Sequence, residues 1–115
     1  MKKTLKNVGP SLNEIRLEMY KDPKQAKFAV KLALEDFEKD NHVEILLDTL
    51  RLVAKAQGGL TALARKTSIS RQALNDALSP RGNPRLRTFQ NVLNSLGFRM
   101  TFKPIPRHAE HAKAA

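Results

Sequence analysis

Apolar residues recur at helical spacing along most of this chain, in blocks separated by turn-forming residues. Leu12, Ile15 and Met19 form a short stripe behind Ser11 and Glu14, whose spacing is that of a capping box, so a helix is expected over residues 11–20. Asp22-Pro23 starts a second helix, with Asp as cap and Pro at the first helical position, where its missing amide costs nothing. Ala26, Ala29, Val30, Ala33 and Phe37 give that helix one apolar face up to about residue 38. Asn41 with Glu44 resembles a further capping box and opens a third helix to about residue 57. Val43, Leu46, Leu47, Leu50, Val53 and Ala54 point inward there, and Gly58-Gly59 is the stop.

The next block, residues 59–78, reads as a helix-turn-helix with a shared apolar seam. Leu63 and Ala64 fall on the inner face of its first helix, Ile69 fills the turn, and Leu74, Ala77 and Leu78 fall on the inner face of the second. Ala64 is small enough to let the two backbones cross closely. Ser70 precedes the second run, where its hydroxyl can accept a hydrogen bond from the amide of Gln72 or Ala73. Arg71, Gln72, Asn75 and Asp76 then point outward. Arg can fork onto guanine, and Gln or Asn can bond adenine through two atoms, so residues 70–79 are assigned as a recognition helix. An αα-hairpin with a polar outside has the same pattern.

Residues 79–84, Ser-Pro-Arg-Gly-Asn-Pro, make a loop. Pro84 opens a last helix in which Leu86, Phe89, Val92, Leu93 and Leu96 are core, with Gly97 as its stop. Phe98, Met100 and Phe102 alternate with Arg99, Thr101 and Lys103, a period of two that predicts a strand. A lone strand in a helical chain lacks a partner, and pairing with the same strand of a second molecule supplies one, so Phe98, Met100 and Phe102 are the expected homodimer interface. The alternative is an extended segment packed on its own core. Residues 1–10 are expected to be a poorly ordered lead-in, and residues 104–115, which start at Pro104, a disordered tail. His108 and His111 in that tail lack a third ligand, and no metal site or cofactor is expected.

Charge sharpens this picture. The 115 residues carry a net charge of +10. Residues 1–48 hold nine basic and nine acidic side chains and are neutral, whereas residues 49–115 hold twelve basic and two acidic ones. The whole excess therefore lies with the helix-turn-helix half, as a polyanion-binding surface requires. Arg81, Arg85 and Arg87 in the loop and the last helix's first turn are candidates for backbone phosphates, joined by Thr61 and Lys66, with Arg65 either adding to them or only solubilising its face. Between residues 35 and 48 the balance reverses, with six acids against Lys39 alone. That segment is either a solvated helix corner or a docking surface for a basic partner. With no cysteine, no signal-like apolar stretch and no membrane-length run, the protein is expected to be soluble and cytoplasmic, without disulfides. Paired carboxylates, a phosphate-cradling glycine loop and an activated nucleophile are not evident, so no enzymatic activity is expected. Few aromatic platforms are left for single-stranded RNA.

From about residue 22 to 102 the sequence resembles the HigA-like addiction-module antidote proteins, antitoxins with a helix-turn-helix of the Cro and phage-repressor type. The segment Gly-Gly-Leu-Thr-Ala-Leu-Ala-Arg-Lys-Thr and the later Ser-Arg-Gln-Ala-Leu carry the match. The Ala-Leu-Ser-Pro-Arg-Gly-Asn-Pro run of Ala77 to Pro84 and the Leu-Gly-Phe-Arg-Met ending are the more particular features. Together with the periodicities above, the expected fold is all-α, a compact bundle around a lambda-repressor-like helix-turn-helix, with N-terminal helices and the one C-terminal β-strand. The expected division is a lead-in and helical extension at 1–40, a DNA-binding domain at 41–103 and the tail.

The same resemblance implies a DNA-binding antitoxin that neutralises a small basic toxin of the RelE/ParE type (HigB-like) encoded by the adjacent gene and represses their shared promoter; the homodimer expected from the strand would then bind a palindromic operator in double-stranded DNA. It implies base reading by Ser70, Arg71, Gln72 and Asn75. Toxin contact is assigned to Glu35, Asp36, Glu38, Asp40 and Glu44, the one acidic surface. Ser68 departs from the glycine usual in this turn, and serine tolerates a left-handed backbone less well. A stand-alone repressor of phage type has the same DNA-binding half, and the gene neighbourhood separates the two.

Overall fold

The computed structural model describes residues 11–106. They form six helices: α1 (Leu12–Met19), α2 (Pro23–Asp40), α3 (Val43–Ala56), α4 (Gly59–Thr67), α5 (Arg71–Ala77) and α6 (Leu86–Ser95). The caps explain several boundaries. Ser11 and Glu14 close a reciprocal capping box at the start of α1, and Asp22 accepts from the amide of Lys24 at 3.0 Å ahead of Pro23 in α2.

The corner between α2 and α3 differs from the expected one. Asn41 does not open α3 but ends α2, in the left-handed conformation with φ 58, and His42 precedes α3 without a side-chain cap. Asparagine is among the few residues that adopt this conformation readily, which suits it to end a helix.

α3 lies at the centre of the packing. Leu46, Leu47, Leu50 and Val53 are fully buried, and α3 contacts α1, α2 and α4, while α4 also contacts α5 and α6. Val30 from α2, Leu74 of α5, Leu78 just after it, and Val92 from α6 complete the fully buried set. Each such side chain contributes about 1.5–3 kcal/mol relative to exposure, so removing one near α3 loosens several helices at once.

α1 does not attach through its apolar stripe. Leu12, Ile15 and Met19 remain exposed, and the helix is held by Tyr20 and by half-buried Arg16 and Leu17. Arg16 donates to Asp48 at 2.8 Å, to the Tyr20 hydroxyl at 3.2 Å and to Thr49 at 3.4 Å. Gln57, just past α3, donates to the carbonyls of Tyr20 at 2.6 Å and Lys21 at 3.2 Å, fastening the α1–α2 corner. A polar network thus takes the place that the stripe alone was expected to fill.

The expected C-terminal strand is absent among the described residues: residues 98–106 have no regular secondary structure. Phe98 and Met100 are half-buried against the chain's own core, with the Phe98 amide bonded to the Leu93 carbonyl at 2.9 Å, while Phe102 is 82% exposed. The period of two therefore records one side of an extended segment lying on its own core. Leu86 is likewise exposed at the start of α6, where a core residue was expected. No described helix is long and apolar enough to cross a membrane. The expectations for residues 1–10 and for His108 and His111 lie outside the described residues.

Candidate functional site

The sharp bend between α4 and α5 sets the orientation of the outward side chains. Ser68 takes the left-handed conformation, φ 59, despite being a serine, so only three residues separate α4 from α5. Thr67 helps to hold the bend, its hydroxyl donating to the Leu63 carbonyl at 2.8 Å and accepting from the Ile69 amide at 3.3 Å. The Ser70 hydroxyl accepts from the Ala73 amide at 3.1 Å and caps α5.

Leu74 and Leu78 are buried and Ile69 half-buried, which turns Arg71, Gln72, Asn75 and Asp76 outward. Arg71, Gln72 and Asn75 line one shallow depression together with Leu60 of α4. Gln72 donates to Asp76 at 3.1 Å on this exposed surface. Such a bond contributes little in water, so the amide can exchange it for another partner.

The loop after α5 folds back on that helix. The Gly82 amide donates to the Ser79 carbonyl at 2.8 Å, and the Ser79 hydroxyl to the Asp76 carbonyl at 2.8 Å. A Cβ at Gly82 would lie 2.1 Å from the Ala77 carbonyl oxygen, so only glycine permits this approach. Arg81 is exposed in this loop, Arg85 is the residue that precedes α6, and Arg87 is exposed in its first turn, which holds no acid. Thr61 is exposed near the start of α4. Lys66 lines a different hollow, with Lys27, Gln57 and Ser95, away from the depression at α5.

The acidic segment divides in two. Asp48 is half-buried and paired with Arg16 at 2.8 Å and Arg51 at 2.9 Å. Burial works against the Arg16 charge, but the hydrogen bonds to Tyr20 and Asp48 and the attraction of both groups outweigh it and raise its pKa. Glu35, Asp36, Glu38, Asp40 and Glu44 are exposed, and none makes an ion pair among the described residues.

Sequence reasoning missed an apolar surface beside those acids. Phe28 and Leu32 on α2 and Ile45 on α3 are 57%, 44% and 51% exposed, and they share a hollow with Met19, Asp36 and the small Ala29 and Ala33. The available signal was the spacing: Phe28 and Leu32, four apart, make a second stripe off the Ala26–Val30–Ala33 face.

A family profile described as "probable addiction module antidote protein" matches residues 20–104, from the end of α1 through the extended segment. An uncharacterized protein of Haemophilus influenzae is 33% identical over 67 residues, an alignment covering 58% of this chain and 68% of that protein. No solved structure matches the chain significantly. The profile takes in the α4–α5 pair, the glycine-dependent loop and all of α2 and α3, and the chain belongs to the family of probable addiction module antidote proteins.

Proposed function

We propose that this protein is a HigA-like antitoxin that reads duplex DNA with a helix-turn-helix made of α4 and α5, neutralises a RelE/ParE-type (HigB-like) toxin encoded beside it, and represses the promoter the two share. The observation that carries the DNA-binding part is the exposed cluster of Arg71, Gln72 and Asn75 at the capped start of α5, in the half of the chain that holds the whole net charge. Membership of the antidote family supports the toxin-binding part.

On this reading Ser70, Arg71, Gln72 and Asn75 meet base edges in the major groove, Arg with guanine and Gln or Asn with adenine. Thr61, Lys66, Arg81, Arg85 and Arg87 contact phosphates, which supply affinity and register but not sequence choice. A homodimer sets two α5 helices about 34 to 36 Å apart on a palindromic operator. Its contact is formed by the C-terminal segment of Phe98, Met100 and Phe102, of which Phe102 is the exposed one.

The test is fluorescence anisotropy with a duplex from the region upstream of the gene and with a scrambled duplex. Tighter binding to the upstream duplex is expected, with Arg71→Ala losing about 1 to 3 kcal/mol on it and little on the scrambled one. Equal affinity for both duplexes, or an equal loss on both, contradicts base reading by α5.

A further inference from the structure

Ten large apolar side chains are exposed among the described residues, and five of them lie along one connected groove of α1, α2 and α3. Phe28, Leu32 and Ile45 stand around a hollow of about 330 Å³, and Met19 joins it to a second hollow bordered by Ile15. Isolated exposed apolar residues are ordinary, but a contiguous patch on this scale marks a place where another molecule sits.

The charged residues that line it are acidic, although Glu18 is paired with Lys21 at 3.4 Å and Arg16 reaches the lining residues Tyr20 and Thr49 from behind. Asp36 lies in the groove wall, Glu14 and Glu18 border the Ile15 end, and Glu44 is adjacent in sequence to Ile45. No lysine or arginine lines either hollow. The complementary occupant is a protein segment with several apolar side chains flanked by Lys or Arg.

The chain's own C-terminal segment has this character only weakly. Phe98 and Met100 are engaged with its own core, leaving Phe102 and Ile105 free, too few to cover five apolar positions. The hollows are built from α1, α2 and α3, whereas the depression at Arg71 is built from α4 and α5. An occupant of the groove therefore uses none of the residues assigned to base reading.

We infer that the groove between α1, α2 and α3 receives an apolar, basic segment of the toxin and that Phe28, Leu32 and Ile45 are its anchors, with the acids at the rim attracting it. This rests on the antitoxin reading above and names the surface that reading needs. It moves the centre of the contact from the carboxylates of α2 to the apolar hollow beside them, where desolvated anchors carry most of an interface's affinity.

The experiment uses the product of the adjacent reading frame as the probe, with the full chain and the variants Phe28→Glu with Leu32→Glu, and Asp36→Lys. Toxin affinity is measured by calorimetry, DNA affinity by anisotropy, folding by thermal melting and mass by light scattering. The expected result is that the wild type binds the probe and the double variant binds it about a hundredfold more weakly. Asp36→Lys weakens binding with a reduced salt dependence, and both variants melt and bind DNA as the wild type does.

Unchanged probe affinity in the double variant overturns the groove and leaves the antitoxin reading standing. A double variant that changes from dimer to monomer while keeping its probe affinity assigns the groove to a second copy of this chain and overturns it too. A wild type that does not bind the probe overturns the antitoxin reading and the groove together. Should the double variant fold poorly, Asp36→Lys decides, since this exposed charge carries no packing, and unchanged affinity there overturns the charged rim.

Discussion

Arg16 and Asp48, 32 positions apart in sequence, meet at 2.8 Å, and that contact ties α1 to the central helix α3. Asp48 also receives Arg51 at 2.9 Å, whose Nε is buried without a partner, so one carboxylate serves two guanidinium groups.

Asp48→Asn leaves both arginines without a countercharge in a half-buried place. A loss of about 1 to 3 kcal/mol is expected, read from the urea midpoint. The Arg16 pKa is raised above its ordinary value by its bonds to Tyr20 and Asp48, so the arginine side of this contact keeps its charge through the whole range in which the protein is handled. A variant as stable as the wild type removes the contact from what holds α1.

Ser68 stands in the left-handed conformation that a serine side chain disfavours. Ser68→Gly is expected to stabilise the protein by up to about 1 kcal/mol, part of the relief being lost to glycine's greater freedom when unfolded. Ser68→Val is expected to destabilise it by more than that, because a β-branched residue at positive φ is a strong outlier. Thermal melting of the two variants in the opposite order would contradict the turn geometry.

Gly82→Ala forces a Cβ into the Ala77 carbonyl. The loop has to leave α5, at a cost of about 2 kcal/mol or more. A melting temperature unchanged from the wild type would mean that the loop does not fold back as described.

Arg85→Ala and Arg87→Ala are expected to weaken binding to every duplex alike, each lowering the slope of log affinity against log salt by about 1. An unchanged slope removes that arginine from the phosphate contacts.

Phe102→Asp tests the dimer more cleanly than a change at Met100, since Phe102 is free while Met100 packs on its own core. On the dimer reading, light scattering shows a monomer, and the melting temperature no longer rises with protein concentration as it does for the wild type. An unchanged dimer excludes Phe102 from the contact.

The helices were legible because their signals are local. Ser11 with Glu14, Asp22-Pro23 and Ser70 act within one turn of chain, and each caps the helix that it was expected to cap. The errors arise where two local signals compete or where packing decides. Asn41 suits either a helix start or a left-handed stop, and α2, continuing to Asp40, claims it as the stop. Phe98, Met100 and Phe102 alternate as a strand would, but burial of Phe98 and Met100 needs only a surface to lie on, which the core supplies, and Phe102 is left exposed.

At the candidate sites the outward side of α5 followed from Leu74 and Leu78 pointing inward. The groove did not, since exposure of Phe28 or Ile45 depends on how α1, α2 and α3 sit together. Pairing of Asp48 with Arg16, 32 positions away, was equally invisible to a reading along the chain.

The most direct measurement of antitoxin function is growth of cells expressing the adjacent reading frame, alone and together with this protein. Growth arrest by the neighbour alone, relieved when this protein is present and co-purifies with it, is the predicted result. A neighbour that is harmless, or an arrest that this protein leaves unrelieved, would contradict the antitoxin function and leave a stand-alone repressor as the reading of α4 and α5.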